Sequence, residues 1–250
     1  MTMYGSMIYR EYKIAKSSLI LRIILGLLSF TAFMVPILAG ALTPDESEEE
    51  ANYMGMLFFF GLLPMILGTC AGMESGRYKA DVAAGWARYS FTLPVTARQQ
   101  IAASYLYRGL IAAGFLALTL ISGYLTGKAV GMDFMLMYFN VFLLAFLVVS
   151  GFSEICEIIM MQSKNKQNLK KLGIVAFIIC IVLYRLFGIF SVNAEPEGEL
   201  ISDAEFTQAG AKLFDFCNSV SASLIFLGIL LTLGAVCFLC KEKSLARREP

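Results

Sequence analysis

The chain reads as an all-α membrane protein with six transmembrane helices, and three observations predict it. Six apolar runs, Ile23 to Leu42, Tyr53 to Met73, Ile101 to Leu125, Phe134 to Ser153, Leu172 to Val192 and Val220 to Cys240, are each long enough to cross a bilayer as a helix, which takes about 20 residues. Lysine and arginine fall in alternate gaps between these runs. The 250 residues are 58% hydrophobic with a mean hydropathy of +0.71, more apolar than an ordinary soluble domain.

The alternation sets an orientation. Arg10, Lys13 and Lys16 precede run one; Arg77, Lys79, Arg88 and Arg98 follow run two; Lys164, Lys166, Lys170 and Lys171 follow run four; Lys241, Lys243, Arg247 and Arg248 close the chain. By the positive-inside rule these four segments, and with them both termini, are expected in the cytoplasm. The remaining gaps hold only Lys128 and Lys212. Two of them are acidic, through Asp45, Glu46, Glu48, Glu49 and Glu50 and through Glu195, Glu197, Glu199, Asp203 and Glu205. The net charge of +1 is then the sum of a basic inner and an acidic outer surface, and it calls for no nucleic-acid partner.

The chain is expected to form a single membrane domain over residues 1–250, and its elements follow in order. Residues 1–19 carry Tyr4, Ile8, Tyr12, Ala15 and Leu19 on one helical face and Ser6, Arg10, Lys13, Lys16 and Ser17 on the other. This predicts an amphipathic helix lying at the inner membrane surface, with its lysines among anionic lipid headgroups, that turns upward into the first span. Ala39-Gly40-Ala41 resembles a signal-cleavage site. About 19 apolar residues precede it, more than a signal h-region of roughly 7–15, so an uncleaved first helix is expected. Run two carries Pro64, which permits a kink, and Met54, Met56, Met65 and Met73, whose thioethers make an adaptable wall.

Residues 74–98 form a long, charged, aromatic loop on the cytoplasmic side. It holds the single tryptophan, Trp86, with Tyr78, Tyr89 and Phe91 interleaved among Arg77, Lys79, Asp81 and Arg88, a composition suited to a protein partner. In Leu93-Pro94-Val95-Thr96 the proline breaks the backbone, and Thr96 with Gln99 supplies a capping box for helix three. On the outer side, residues 193–219 contain a second amphipathic pattern. Ser202 and Glu205 stand in capping-box spacing, and Phe206, Gly210, Leu213, Phe214 and Cys217 share a face, predicting a short interfacial helix. Residues 241–250 form a cytoplasmic tail.

Several chemistries are excluded. The chain has no histidine, which removes Ser-His and Cys-His nucleophile pairs, histidine metal sites and histidine proton relays. Its six cysteines lie mostly within or beside apolar runs and imply neither disulfides nor a metal. No G-x-x-x-x-G-K-[ST] loop occurs, so energy from a nucleoside triphosphate has to come through another subunit, and no catalytic residue is assigned here. Charges within spans are functional candidates because they are costly there, and Arg108, Glu154, Glu157 and Arg185 qualify. Glu154 and Glu157 lie three apart on one face at a depth comparable to Arg108. An Arg108–Glu154 bridge and snorkelling of both side chains to headgroups are the two readings, while Arg185 is expected to snorkel outward.

The sequence resembles the permease subunits of bacterial type-2 ABC transporters, in particular the branch that exports phenol-soluble modulins and related amphipathic peptides. The resemblance rests on Asp81, Trp86, Tyr89 and Leu93-Pro94-Val95-Thr96, continuing through Arg98-Gln99-Gln100-Ile101 to Tyr105, together with the whole-chain topology. Ala97 and Ser104 stand where that branch often has basic residues. The resemblance implies the type-2 exporter fold in a bacterial cell membrane. It implies a second permease, identical or not, and separate ATPase subunits that bind ATP and Mg. Asp81, Trp86, Arg88, Tyr89, Leu93, Pro94 and Arg98 would belong to the segment that seats in the ATPase, and spans two and five would line the route, with Met54, Met56, Phe60, Pro64 and Met65 as lining candidates. An amphipathic peptide or other hydrophobic substrate would move outward. Two alternatives stand beside this: an ion-coupled secondary transporter, which predicts inverted repeats and mid-span ion ligands, and a membrane scaffold or sensor with no transported substrate.

Overall fold

The computed structural model describes residues 3–38, 52–73, 96–131, 133–162 and 215–246. Its long helices are α1 (Met3–Leu38), α2 (Asn52–Gly72), α3 (Ala97–Val130), α4 (Met135–Gln162) and α5 (Val220–Ala246), and no strand occurs among the described residues. Four of these contain stretches long and apolar enough to cross a membrane: Gly5–Val35, Arg98–Val130, Met135–Ile159 and Val220–Ser244. The apolar part of α2 with the same character, Phe60–Gly72, is shorter. The chain is an all-helical, multi-pass membrane protein.

Helices are what hydrocarbon demands, because no water is there to satisfy an open backbone. Side-chain hydroxyls obey the same constraint by bonding to their own helix. Ser29 donates to the Leu25 carbonyl, Thr69 to Met65, Thr119 to Phe115, Ser122 to Thr119 and Thr232 to Gly228, all at 2.7–2.9 Å. Helix ends are closed by local chemistry. The Thr96–Gln99 capping box forms in both directions at the start of α3. Gly131 ends α3 with φ 80, a left-handed conformation that glycine adopts without cost, and its N–H donates to the Gly127 carbonyl. Asp133 accepts the Met135 amide at the start of α4, and the Ser219 hydroxyl accepts the Ala222 amide at the start of α5.

Directions follow from which ends touch. Arg22 of α1 reaches Met73 just beyond α2, whereas Met34 reaches Thr126 late in α3, so α1 is antiparallel to α2 and parallel to α3. The Thr126–Tyr138 and Arg108–Glu154 contacts make α4 antiparallel to α3. Asn140 meets Ser223 and Glu157 meets Lys241, so α5 runs parallel to α4. The core lies between α1, α2, α3 and α4, around Met34, Phe60, Leu63, Leu67, Phe115, Met137, Tyr138 and Phe142.

Helices α2 and α4 pack most closely, through Gly68 and Gly72. A Cβ at Gly68 would stand 2.5 Å from the Phe142 carbonyl oxygen and 3.0 Å from the Ala145 Cβ, and one at Gly72 would stand 3.0 Å from the Ser150 nitrogen. This is the small-x-x-x-small contact by which membrane helices approach backbone to backbone.

The break expected between residues 1–19 and the first span does not occur. α1 is one unbroken helix of 36 residues, about 54 Å long at the rise of an α-helix, with no elbow near Leu19. Of the predicted apolar face, Ala15 is buried and Ile8 and Leu19 are half-buried, while Tyr12 is exposed and packs its ring 6.4 Å from that of Tyr9; Ser6, Lys13, Lys16 and Ser17 of the polar face are exposed. The amphipathic pattern marks a change of surroundings along one rod rather than a bend in it. α2 likewise runs through Pro64 without interruption.

Candidate functional site

Four charged side chains from three helices meet at the end of the bundle that carries Arg98 and Lys241. Glu154 and Glu157 lie three residues apart on α4 and so share a face, as Tyr105 and Arg108 do on α3. Arg108 pairs with Glu154 and, at 3.1 Å, with Glu157. Lys241 of α5 pairs with Glu157 and, at 2.7 Å, with Glu154. The Tyr105 hydroxyl donates to Glu154 Oε2 at 2.9 Å, and its ring lies under the Lys241 ammonium, 5.6 Å from the centroid. Lys241, Glu157 and Glu154 are only 3%, 4% and 6% exposed. Each carboxylate is thus bridged by two cations, and the four formal charges cancel.

The bridge, not snorkelling, is therefore the arrangement found for Arg108 and Glu154. Lys241 escapes a sequence reading because it directly follows the last apolar run and is naturally counted with the tail. Its four-residue spacing from Cys237, which is also buried, is the available signal. The network's depth is set by helix length. Arg22, Arg108, Glu154 and Lys241 lie about 24–33 Å along their helices from the opposite described ends, a length comparable with a hydrocarbon core of about 30 Å.

Arg22 is a second buried charge that the alternation of basic residues hides, since it stands between Lys16 and the first apolar run. Its guanidinium donates to the Met73 carbonyl at 2.6 Å and to the Ser18 carbonyl at 3.3 Å. A cation at the C-terminal end of α2 satisfies a carbonyl that the helix itself leaves open and complements its dipole. Arg98, in the first turn of α3, pairs on the surface with Glu242 of α5.

Toward the opposite end, the fully buried Asn140 ties α4 to the turn that enters α5. Its amide donates to the carbonyls of Cys217 at 2.7 Å and Ser219 at 3.1 Å, and its oxygen accepts from the Ser223 hydroxyl at 2.7 Å. Burial pushes the Cys217 thiol, in that turn, up to about 11. A lone asparagine in an apolar run is the signal that could have found this knot.

The remaining sequence candidates divide by position. Asp81, Trp86, Arg88, Tyr89, Leu93, Pro94 and Arg185, with run five and most of the outer amphipathic segment, lie outside the described residues. Met54 and Met56 belong to α2, but their side chains are also outside them. Phe60 and Pro64 are packed in the core, Phe60 against Phe134 with ring centroids 5.1 Å apart. Met65 is exposed. No group of three or more metal-ligating side chains gathers among the described residues. What the charged cluster can do is mechanical: it fastens α3, α4 and α5 together at one end, where loss of any single member strands a charge. No protein family, curated protein or solved structure matches this chain.

Proposed function

We propose that the chain is the permease subunit of an ABC exporter, moving an amphipathic peptide or other hydrophobic substrate out of the cell with ATP hydrolysed, in the presence of Mg, by a separate ATPase. The reading rests above all on the resemblance of the Asp81 to Tyr105 segment to type-2 permeases. The described part of that segment is a capped helix start whose Arg98 and Tyr105 both reach the charged end of α5 or the network there. The absence of a P-loop in the sequence assigns hydrolysis to a partner. Six crossings agree with α4 and α5 running parallel. In this reading the charged end faces the cytoplasm, a second permease completes the route, and the membrane is that of a bacterial cell.

The ion-coupled reading is less well supported. It needs carboxylates available to an ion at mid-depth, whereas Glu154 and Glu157 sit near one boundary and are each held by two cations.

Affinity capture from native membranes, followed by mass spectrometry, tests the proposal by comparing the wild-type chain with a Trp86→Ala, Arg88→Ala double variant. An ABC ATPase recovered with the wild type and lost from the variant is the expected result. Recovery of other membrane complexes intact, with no ATPase, would sink the permease reading and leave ion-coupled transport in front.

A further inference from the structure

We infer that Arg22, with Tyr107 beside it, binds the headgroup phosphate of one anionic phospholipid, the counter-ion that the described residues do not supply. The inference goes beyond the permease reading and holds whether or not the chain is a permease.

Arg22 is 5% exposed, as buried as the charges of the network, yet it is met differently. Its two hydrogen bonds go to the uncharged carbonyls of Met73 and Ser18, and no ion pair or further hydrogen bond engages it among the described residues. The ionisable groups close enough to act on it are Tyr107, Cys70 and Arg108: a phenol, a thiol and another cation. Glu11, the nearest acid on α1, lies about 16 Å away along the helix and pairs with Arg10 at 3.7 Å. Glu154 and Glu157 are each taken by two other cations. A buried charge whose partners are all neutral is costly, and this guanidinium has spent two of its five N–H donors.

Tyr107 of α3 holds another unspent donor. The residue is 9% exposed, its hydroxyl is covered and makes no hydrogen bond, and Arg22 acts on it more strongly than any other charged group does. Folded proteins pair nearly all such groups, with protein, water or a ligand. A phosphate oxygen held by Arg22 gives the hydroxyl an acceptor after a small turn of the ring.

Depth and access name the source of the phosphate. Arg22 lies about 24 Å from the far end of α1, close to the thickness of a hydrocarbon core, beyond which headgroup phosphates begin. Leu21 beside it and Met73, whose carbonyl it holds, are both exposed, so a headgroup can approach from the membrane. Lys13 and Lys16, exposed within about three turns, draw an anionic leaflet toward this stretch of α1. The fork of a guanidinium matches phosphate, and a headgroup without an ammonium of its own, such as phosphatidylglycerol, leaves the site neutral.

The test is native mass spectrometry of the protein in a neutral detergent, beside its thermal midpoint. Three compounds are added in turn: phosphatidylglycerol, a diglycosyl diacylglycerol with the same acyl chains, and glycerol phosphate. The wild type is expected to keep one phosphatidylglycerol per chain and to gain midpoint with it, as a ligand of the folded state does, whereas the other two do neither. Arg22→Gln should weaken this binding about tenfold or more, and Tyr107→Phe about threefold. Arg22 also closes the end of α2, so Arg22→Gln can fail to fold, but Tyr107→Phe removes only an unpaired hydroxyl and should not lower the lipid-free midpoint. Glu74, which follows Met73 in the sequence and lies outside the described residues, is the rival counter-ion, and Glu74→Gln is expected to leave lipid binding and midpoint unchanged. Equal retention of the glycolipid, or unchanged lipid affinity in Tyr107→Phe, overturns the inference. So does a midpoint lowered by Glu74→Gln in a wild type that keeps no lipid, or stabilisation by glycerol phosphate equal to that by the lipid.

Discussion

Glu154 and Glu157 make their case through what replaces water around them. Two carboxylates in a site this dry are tolerable because Arg108 and Lys241 are there, and the reverse holds for the cations. Lys241→Met leaves both carboxylates to one guanidinium and is expected to lower stability by about 3–5 kcal/mol, the usual cost of unpairing a buried charge. Adding Glu157→Gln removes the surplus charge and should recover most of the loss. Thermal unfolding in detergent checks both, and a double variant no more stable than Lys241→Met alone would contradict a charge-balanced site. At this scale the sequence was legible where spacing spoke: Glu154 and Glu157 announce a shared face, and Thr96 with Gln99 announces a cap. Arg22 and Lys241 were not legible, because a cation beside an apolar run has the same letters whether it faces headgroups or folds inward onto a carbonyl or carboxylate. Which it does depends on the neighbouring helix, and that is tertiary information.

Along whole elements, the apolar pattern locates environments better than backbone breaks. The second apolar run coincides with α2 to within a residue at either end, α4 and α5 begin with their runs and continue past them, α3 extends beyond its run at both ends, and α1 absorbs the segment that was expected to lie flat. Nothing between Leu19 and Arg22 interrupts a helix, and Ser17 and Ser18 are compatible with one, so the rod continues through the change in polarity. Packing distances between elements were less legible still. Gly68 and Gly72 read as small residues in an apolar run until α4 is placed against them. Gly68→Val is expected to cost about 1–3 kcal/mol through overpacking, because the atoms it meets are backbone and a short Cβ that cannot swing away. Gly114→Val is the matched control: a Cβ there meets nothing within 4 Å, and the better helix former should leave the thermal midpoint unchanged or slightly raised. Equal loss in the two variants would mean that helix–helix approach is not what the glycine at 68 provides.

For the molecule as a whole, the plane of Arg22, Arg108, Glu154 and Lys241 divides a bundle of membrane thickness from helix ends that continue past it. α1 continues furthest, since its residues before Arg22 add nearly 30 Å, with Lys13 and Lys16 exposed. The distribution of lysine and arginine predicts that this end lies in the cytoplasm and the Gly131 turn outside. Single cysteines placed at Ser6 and Asp133, both exposed, in a chain whose native cysteines are replaced, make that testable with a membrane-impermeant maleimide. In intact cells the Asp133→Cys chain should label and the Ser6→Cys chain should not, and opening the membrane should make the second label as well. The experiment bears on more than orientation. An ATPase in the cytoplasm can engage only segments on the Arg98 side, so labelling at Ser6 in intact cells would put that side outside, out of reach of cellular ATP. It would remove the proposed coupling segment from any part in ATP-driven transport.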